Sequence, residues 1–336
     1  MYLNYFGFSK EPFKITPDPD FFFAGANRGA VLEALRYAVV RGEGIVKVVG
    51  EVGSGKTMLC RMLERELPDP CEVVYLANPR LSPDEILGAV MFELGLSSET
   101  DGKLGTMRKL TEKLLEMHGH GRQVIVFIEE AQAMPLETLE EIRLLSNLET
   151  SCDKLLQIVL FGQPELDEKL SAHEARQLRE RITYTFDLNP LTRTELRDYV
   201  ESRVRASGYR GAQLFSRGAL AQLARYADGL LRRTNVLADK ALLAAYADGQ
   251  QQVKPRHVHR AALDSGYERR GLFAFVRRPW AAATGFAVLM AVAAAGLMHD
   301  WDLPAAPGIS AKQEGHELSQ VENLGEAVVL ARTERF

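Results

Sequence analysis

Gly50-Glu51-Val52-Gly53-Ser54-Gly55-Lys56-Thr57 is the stretch that decides how this chain folds. It follows an apolar run, Ile45–Val49, and opens an amphipathic one, Met58–Leu67, so a glycine-rich turn joins a buried strand to a helix. Glycines at 50, 53 and 55 let backbone N–H groups curl around an anion, and the helix N-terminus adds partial positive charge. In that context G-x-x-x-x-G-K-[ST] is a phosphate cradle, and all eight residues are expected to contact a nucleotide, ATP, with Mg2+. Lys56 should reach the β- and γ-phosphates, and the Thr57 hydroxyl should ligate the metal.

Outward from the cradle, four more apolar segments read as buried strands: Val73–Ala77, Val124–Ile128, Leu156–Phe161 and Ile182–Phe186. Helical segments separate them, over Pro83–Leu94, Met107–Met117, Leu136–Leu148 and Ala175–Arg181, and another spans Asn27–Val40 ahead of the cradle. Continuous apolar runs alternating with amphipathic helices predict an α/β fold, a parallel sheet covered on both faces. Ligands bind such sheets at the carboxyl ends of the strands. There Val124–Ile128 runs into Glu129-Glu130: the first acid is expected to hold the Mg2+ water shell, the second to act as general base on the attacking water. Gln163, beyond the strand ending at Phe161, is expected to contact the γ-phosphate or the lytic water. Asn78, beyond the second strand, is a candidate gate for Glu130, although Asn78-Pro79 is also a plain turn signal. Arg179 and Arg181 precede the last strand, where an arginine can reach a neighbouring subunit's γ-phosphate as a finger, or simply belong to a solvated face.

After Asn189-Pro190-Leu191 the strand signal stops. Leu196–Ala206, Ser216–Tyr226, Thr234–Tyr246 and a segment from Lys254-Pro255 read as an all-α domain. Arg232 and Arg233 sit at a helix start, against the dipole, which calls for an anion nearby. The expected division is an N-terminal strap (1–25) packed by its phenylalanines on the following domain, an α/β nucleotide-binding domain (26–188), a helical lid domain (189–267), a basic linker (268–278), a membrane span (279–298) and a short tail (299–336). Pro279 to Met298 carries no charge, and at ~1.5 Å per residue it can cross a hydrocarbon core of roughly 30 Å. Arg269, Arg270, Arg277 and Arg278 before it, with Asp300 and Asp302 after it, place the preceding domains in the cytoplasm of a single-pass inner-membrane protein. The tail is acidic and too short for a folded domain.

Composition agrees with a large core: of 336 residues, 46% are hydrophobic and 26% charged. The net charge of -4 gives no overall bias toward nucleic acid. Three cysteines, Cys60, Cys71 and Cys152, are too few and too scattered for a disulfide framework or a zinc cluster. No basic region followed by an apolar run opens the chain, so no secretory signal is expected at its start.

These motifs together resemble the ExeA/GspA-type AAA+ ATPases of bacterial, type II-like secretion and pilus assembly. Within that family the chain is most similar to the members serving the mannose-sensitive haemagglutinin (MSHA, type IV) pilus. The likeness runs from Met1 to about Arg270. It is carried by Met1-Tyr2-Leu3, Phe6-Gly7-Phe8, Thr16-Pro17-Asp18-Pro19, the cradle, Glu130-Ala131-Gln132, Leu145–Thr150, Leu160–Leu166, Arg179-Glu180-Arg181-Ile182, Asn235-Val236-Leu237 and Ala241–Tyr246. The resemblance implies an AAA+ core with a helical lid, ATP hydrolysis, homo-oligomers with nucleotide at their interfaces, and inner-membrane pilus or secretion proteins as partners. It also implies that Arg232 is the lid arginine sensing the γ-phosphate. Two residues depart from the family pattern: Glu129 stands where aspartate is usual, which leaves the turnover rate open, and Leu231 where proline is usual before the lid arginine. The competing expectations are an ATP-binding scaffold with poor hydrolysis and a DNA-associated regulator of the transposition type, the membrane span speaking against the latter.

Overall fold

The apolar runs become five strands, β1 (Ile45–Gly50), β2 (Cys71–Leu76), β3 (Gln123–Ile128), β4 (Leu156–Gly162) and β5 (Ile182–Leu188). They form one sheet in the order β2-β3-β4-β1-β5, every pairing parallel. A computed structural model describes residues 2–42, 44–97 and 102–267 of the chain, all belonging to the unit Met1–Arg269. After α1 (Tyr2–Phe6), which packs on the bundle described below, the helices around the sheet are α2 (Arg28–Arg41), α3 (Lys56–Glu66), α4 (Pro83–Glu93), α5 (Gly102–Gly119), α6 (Leu136–Leu145), α7 (Glu165–Ser171) and α8 (Arg176–Arg181). Then come α9 (Arg193–Ala206), α10 (Arg217–Ala227), α11 (Leu231–Ala247) and α12 (Pro255–Asp264).

Why the central strands read as unbroken apolar runs is visible in their two faces. Val124, Val126 and Ile128 of β3 point into a core completed by Ile86 and Val90 of α4 and Leu139 and Ile142 of α6. Ile125 and Phe127 point the other way, toward Leu35 of α2 and Leu59 and Leu63 of α3. Both directions are dry, so both alternate positions must be apolar. β5 differs from its expectation as a buried strand. It forms the sheet edge beside β1, and its residues alternate between half-buried and exposed from Ile182 to Asp187, which is why Thr183, Thr185 and Asp187 are tolerated there.

The helices α9–α12 form a separate bundle with its own core, including Leu196, Val200, Leu223, Leu237, Leu242 and Val258. The N-terminal segment corrects the expectation made for it. Phe6, Phe8 and Phe13 are buried in the bundle's core and not on the α/β layer that follows them in sequence, while Phe22 packs on the α/β side. The residues from 268 onward, with the expected linker, membrane span and tail, lie outside the described residues. Among the described residues no helix is long and apolar enough to cross a membrane.

Candidate functional site

The turn between β1 and α3 is built on glycine. Gly53 and Gly55 hold φ of +80° and +107°, and a Cβ on Gly53 would lie 2.7 Å from the Cβ of Arg232. Lys56 is 8% exposed, and its Nζ donates to the carbonyls of Gly50 at 2.6 Å and Glu51 at 3.2 Å, so the lysine folds back across its own loop. Burial lowers the proton affinity of that ammonium, and Glu130 and Glu129 nearby offset the effect in part.

Glu129 leaves the tip of β3, where the Thr57 hydroxyl donates to its Oε2 at 3.4 Å. Its Oε1 is buried and has no hydrogen-bond partner among the described residues. A hydroxyl beside a carboxylate with an unused oxygen is the hard donor set that suits Mg2+, so the residues fit the implied metal. Glu130 sits at φ 53°, ψ 36°, in the left-handed region, a strain of about 1–2 kcal/mol for a residue with a side chain. Its carbonyl takes the Ala133 N–H at 2.8 Å, which closes the turn and aims the carboxylate away from the strand axis. The carboxylate is then gripped: Oε2 accepts from Gln132 Nε2 at 2.6 Å and from Gln163 Nε2 at 2.8 Å, and the Gln163 backbone N–H donates to Gln132 Oε1 at 3.0 Å. Burial alone would raise the Glu130 carboxyl, but the two amides and the Lys56 charge outweigh it and hold it below the usual carboxylate range.

Several of these groups open onto one cavity of about 410 Å³. Gly53, Gly55, Lys56, Thr57 and Glu130 line one end; Lys14–Pro17, Phe21–Phe23 and Tyr199, Arg203, Leu231, Arg232 and Asn235 of the bundle line the rest. The strand order explains the convergence: β4 lies between β1 and β3, so Gln163 at its tip falls between the phosphate turn and the acidic pair.

Arg232 is placed against the turn, its backbone N–H donating to Gly53 O at 3.2 Å. Arg233 has an anion of the chain's own, Asp228, at 3.1 Å, and its guanidinium lies 5.6 Å from the Tyr267 ring centre, so the charge conflict at the start of α11 is resolved without a ligand on that side. Asn78 is not brought to Glu130: its Oδ1 accepts the Arg80 N–H at 3.1 Å, the turn that its sequence also signalled. Arg179 and Arg181 are exposed on α8 and do not line the cavity of their own chain.

Three site residues were missed from sequence. Gln132 could have been found from its place two residues beyond Glu130, within reach of the same turn. Arg28, 5% exposed and sharing Nη2 between the carbonyls of Ser54 and Asn189 (each 3.2 Å), and Arg203 carry no local signal, because their partners are distant in sequence.

Residues 40–170 match a family model described as an AAA domain. Over 293 residues the chain is 36% identical to general secretion pathway protein A of Aeromonas hydrophila, a match covering 85% of this chain and 53% of that one. The chain therefore spans about half the length of this curated relative. Among solved structures it is similar to Cdc6p from Pyrobaculum aerophilum, with a TM-score of 0.57 at 18% identity over 74% of this chain and 71% of the other. It is also similar to RuvB of Thermotoga maritima, a Holliday junction branch migration motor, with a TM-score of 0.51 at 17% identity over 74% and 72% of the two chains. At those identities the structural likenesses show a shared fold and nothing finer.

Proposed function

We propose that this chain, which belongs to the ExeA/GspA family of AAA-type P-loop ATPases, binds Mg-ATP in the 410 Å³ cavity and hydrolyses it to ADP and phosphate. The observation that carries the reading is the convergence of Lys56, Thr57 and a doubly held Glu130 on one end of that cavity, with Glu129 beside Thr57.

In this reading the turn's N–H groups bind the β- and γ-phosphates, and Lys56 exchanges its two carbonyl contacts for phosphate oxygens. Thr57, and Glu129 through water, would hold the Mg2+, which would supply charge neutralisation to the transferring phosphoryl group. Glu130 takes the proton from the attacking water, and Gln163 orients that water. Its lowered proton affinity keeps Glu130 ionised, and so able to accept, throughout the neutral range. The helical bundle acts as a lid whose Arg232 reports the γ-phosphate to the turn it already touches. Arg179 or Arg181, outside the chain's own cavity, serves a neighbouring copy as the finger, which makes the assembly a homo-oligomer. Partners are inner-membrane components of a secretion machine or of an MSHA-like type IV pilus. Residues 279–298 supply the anchor, the ATPase facing the cytoplasm and residues 299–336 lying beyond the membrane.

The test is Mg2+-dependent phosphate release by the chain and by Glu130→Gln. A rate that falls in the variant while ATP still binds supports the enzyme. Equal, near-zero rates in both with ATP bound overturn hydrolysis and leave an ATP-dependent scaffold, the reading that the longer Glu129 side chain would favour.

A further inference from the structure

The wall of the cavity away from the phosphate turn is aromatic and is not part of the sheet. Phe21, Phe22, Phe23 and Tyr199 line it, together with the strap Lys14–Pro17. With the phosphates held at one end, this is the end left for the base, and flat aromatic walls suit a purine's π-face.

Among the described residues the strap has no sheet partner to keep it there. Asn235 Nδ2 reaches Lys14 O at 3.5 Å, and the main hold is Arg203 of α9, a residue 3% exposed. Its Nε donates to Pro12 O at 2.6 Å and its Nη2 to Lys14 O at 3.1 Å. Its guanidinium carbon lies 4.5 Å from the Phe21 ring centre and 6.0 Å from that of Tyr199. Among the described residues no carboxylate forms an ion pair with it. A buried cation satisfied only by carbonyls and ring faces is costly, and a lysine could reproduce neither the planar fork nor the stacking. At its other end the strap is tied to α3, where Arg61 Nη1 donates to Pro17 O at 2.9 Å. Arg203 and Arg61 thus clamp the strap between the bundle and the phosphate-binding helix.

We propose that Arg203 is a positioning residue for nucleobase recognition: by fixing the strap across the aromatic end of the cavity, it makes the choice of base depend on a side chain of the helical bundle. The proposal rests on the cavity being an ATP site, and its test separates the two readings.

Affinities for ATP, GTP and inorganic tripolyphosphate, each with Mg2+, are measured on the full chain and on Arg203→Met, Arg203→Lys and Arg61→Ala by displacement of a fluorescent adenine nucleotide and by thermal shift. Tripolyphosphate carries the phosphates without a base. In both Arg203 variants ATP affinity should fall about tenfold or more, the scale of one lost base-stacking contact. The ATP-to-GTP ratio should collapse toward one, and tripolyphosphate affinity should stay within about twofold. Arg61→Ala, at an exposed side chain whose loss leaves the core intact, should lower the ATP-to-GTP ratio in the same direction by a smaller factor. Unchanged ratios in the variants overturn the proposal. So does a parallel loss of tripolyphosphate binding, because Arg203 would then act only through the fold. A parent chain that binds ATP and GTP alike also overturns it, with the ATPase reading intact, whereas a parent that binds no nucleotide overturns the ATPase reading itself.

Discussion

Gly53→Ala is the sharpest test of how the phosphate turn and the bundle are joined. The turn needs φ +80° at this position, which costs an alanine about 1–2 kcal/mol. The new Cβ would stand 2.7 Å from the Cβ of Arg232, closer than any real contact, so α11 must retreat by several tenths of an ångström. That retreat weakens the 3.2 Å bond from the Arg232 N–H to Gly53 O, adding roughly 0.5–1.5 kcal/mol, with overpacking on top at about 1 kcal/mol or more. Against this, alanine stiffens the unfolded chain and returns about 0.4–1 kcal/mol. The net expectation is a loss of about 2–3 kcal/mol in urea unfolding, with weaker nucleotide binding. Gly88→Ala is the matched control: it lies inside α4 with open space where the Cβ would go, and should stabilise by about 0.5–1 kcal/mol. If Gly53→Ala unfolds within about 0.5 kcal/mol of the parent, the close approach of bundle and turn described above is wrong.

Lys56→Ala should abolish the thermal stabilisation given by Mg-ATP, which at 100 times Kd amounts to about 2.7 kcal/mol in the parent; a shift that persists would remove Lys56 from the binding site. Leu35→Ala, at a fully buried position on α2 (0% exposed), should lower stability by about 2–5 kcal/mol in urea, with the phosphate turn still able to bind nucleotide. His257 is 1% exposed at the start of α12, its Nδ1 accepting the Lys254 N–H at 3.1 Å. Burial, then the Arg256 charge, lowers its proton affinity despite Asp248 beside it. The neutral ring is therefore the folded form, and its contribution is complete above about pH 6.5 and lost as pH falls through the lower folded value. The urea midpoint should drop more between pH 7.5 and 5.5 in the parent than in His257→Asn, and equal drops would refute this.

The α/β layer was legible because its rules are local. All five strands fall where apolar runs of Val, Ile, Leu and Phe predict them, within about two residues at either end. The helix after Ser82 starts where expected, at Pro83, whereas α9 starts at Arg193, three residues ahead of the expected Leu196, because Thr192 and Glu195 form a capping box there. Three short or edge elements were less legible. The pentapeptide α1 has no periodicity to detect, α7 is hidden by the charges of Glu165, Asp167 and Glu168, and β5 reads as buried only because Ile182, Tyr184 and Phe186 mask its polar alternation. Within the site, the phosphate turn and the acidic pair could be named from motif and context. The grip on Glu130 could not, because it depends on β4 being inserted between β1 and β3, a non-local fact that no run of residues encodes. The same holds for the phenylalanine-rich strap: composition marks it as something that packs, but the partner, some two hundred residues away, is chosen by three-dimensional fit.

That partnership has a consequence for how the protein is made. Tyr2 donates to Asp239, 237 residues later, and Ser9 to Ser207. At ribosomal rates of about 5–20 residues per second, the strap waits roughly 10–40 s for its binding groove to be synthesised. During that interval Phe6, Phe8 and Phe13 have no bundle to enter, while the intervening α/β layer can already collapse. The early chain thus presents an aromatic segment to any chaperone or sister nascent chain nearby. The nucleotide cavity, which needs strap and bundle together, can close only once the bundle has been made.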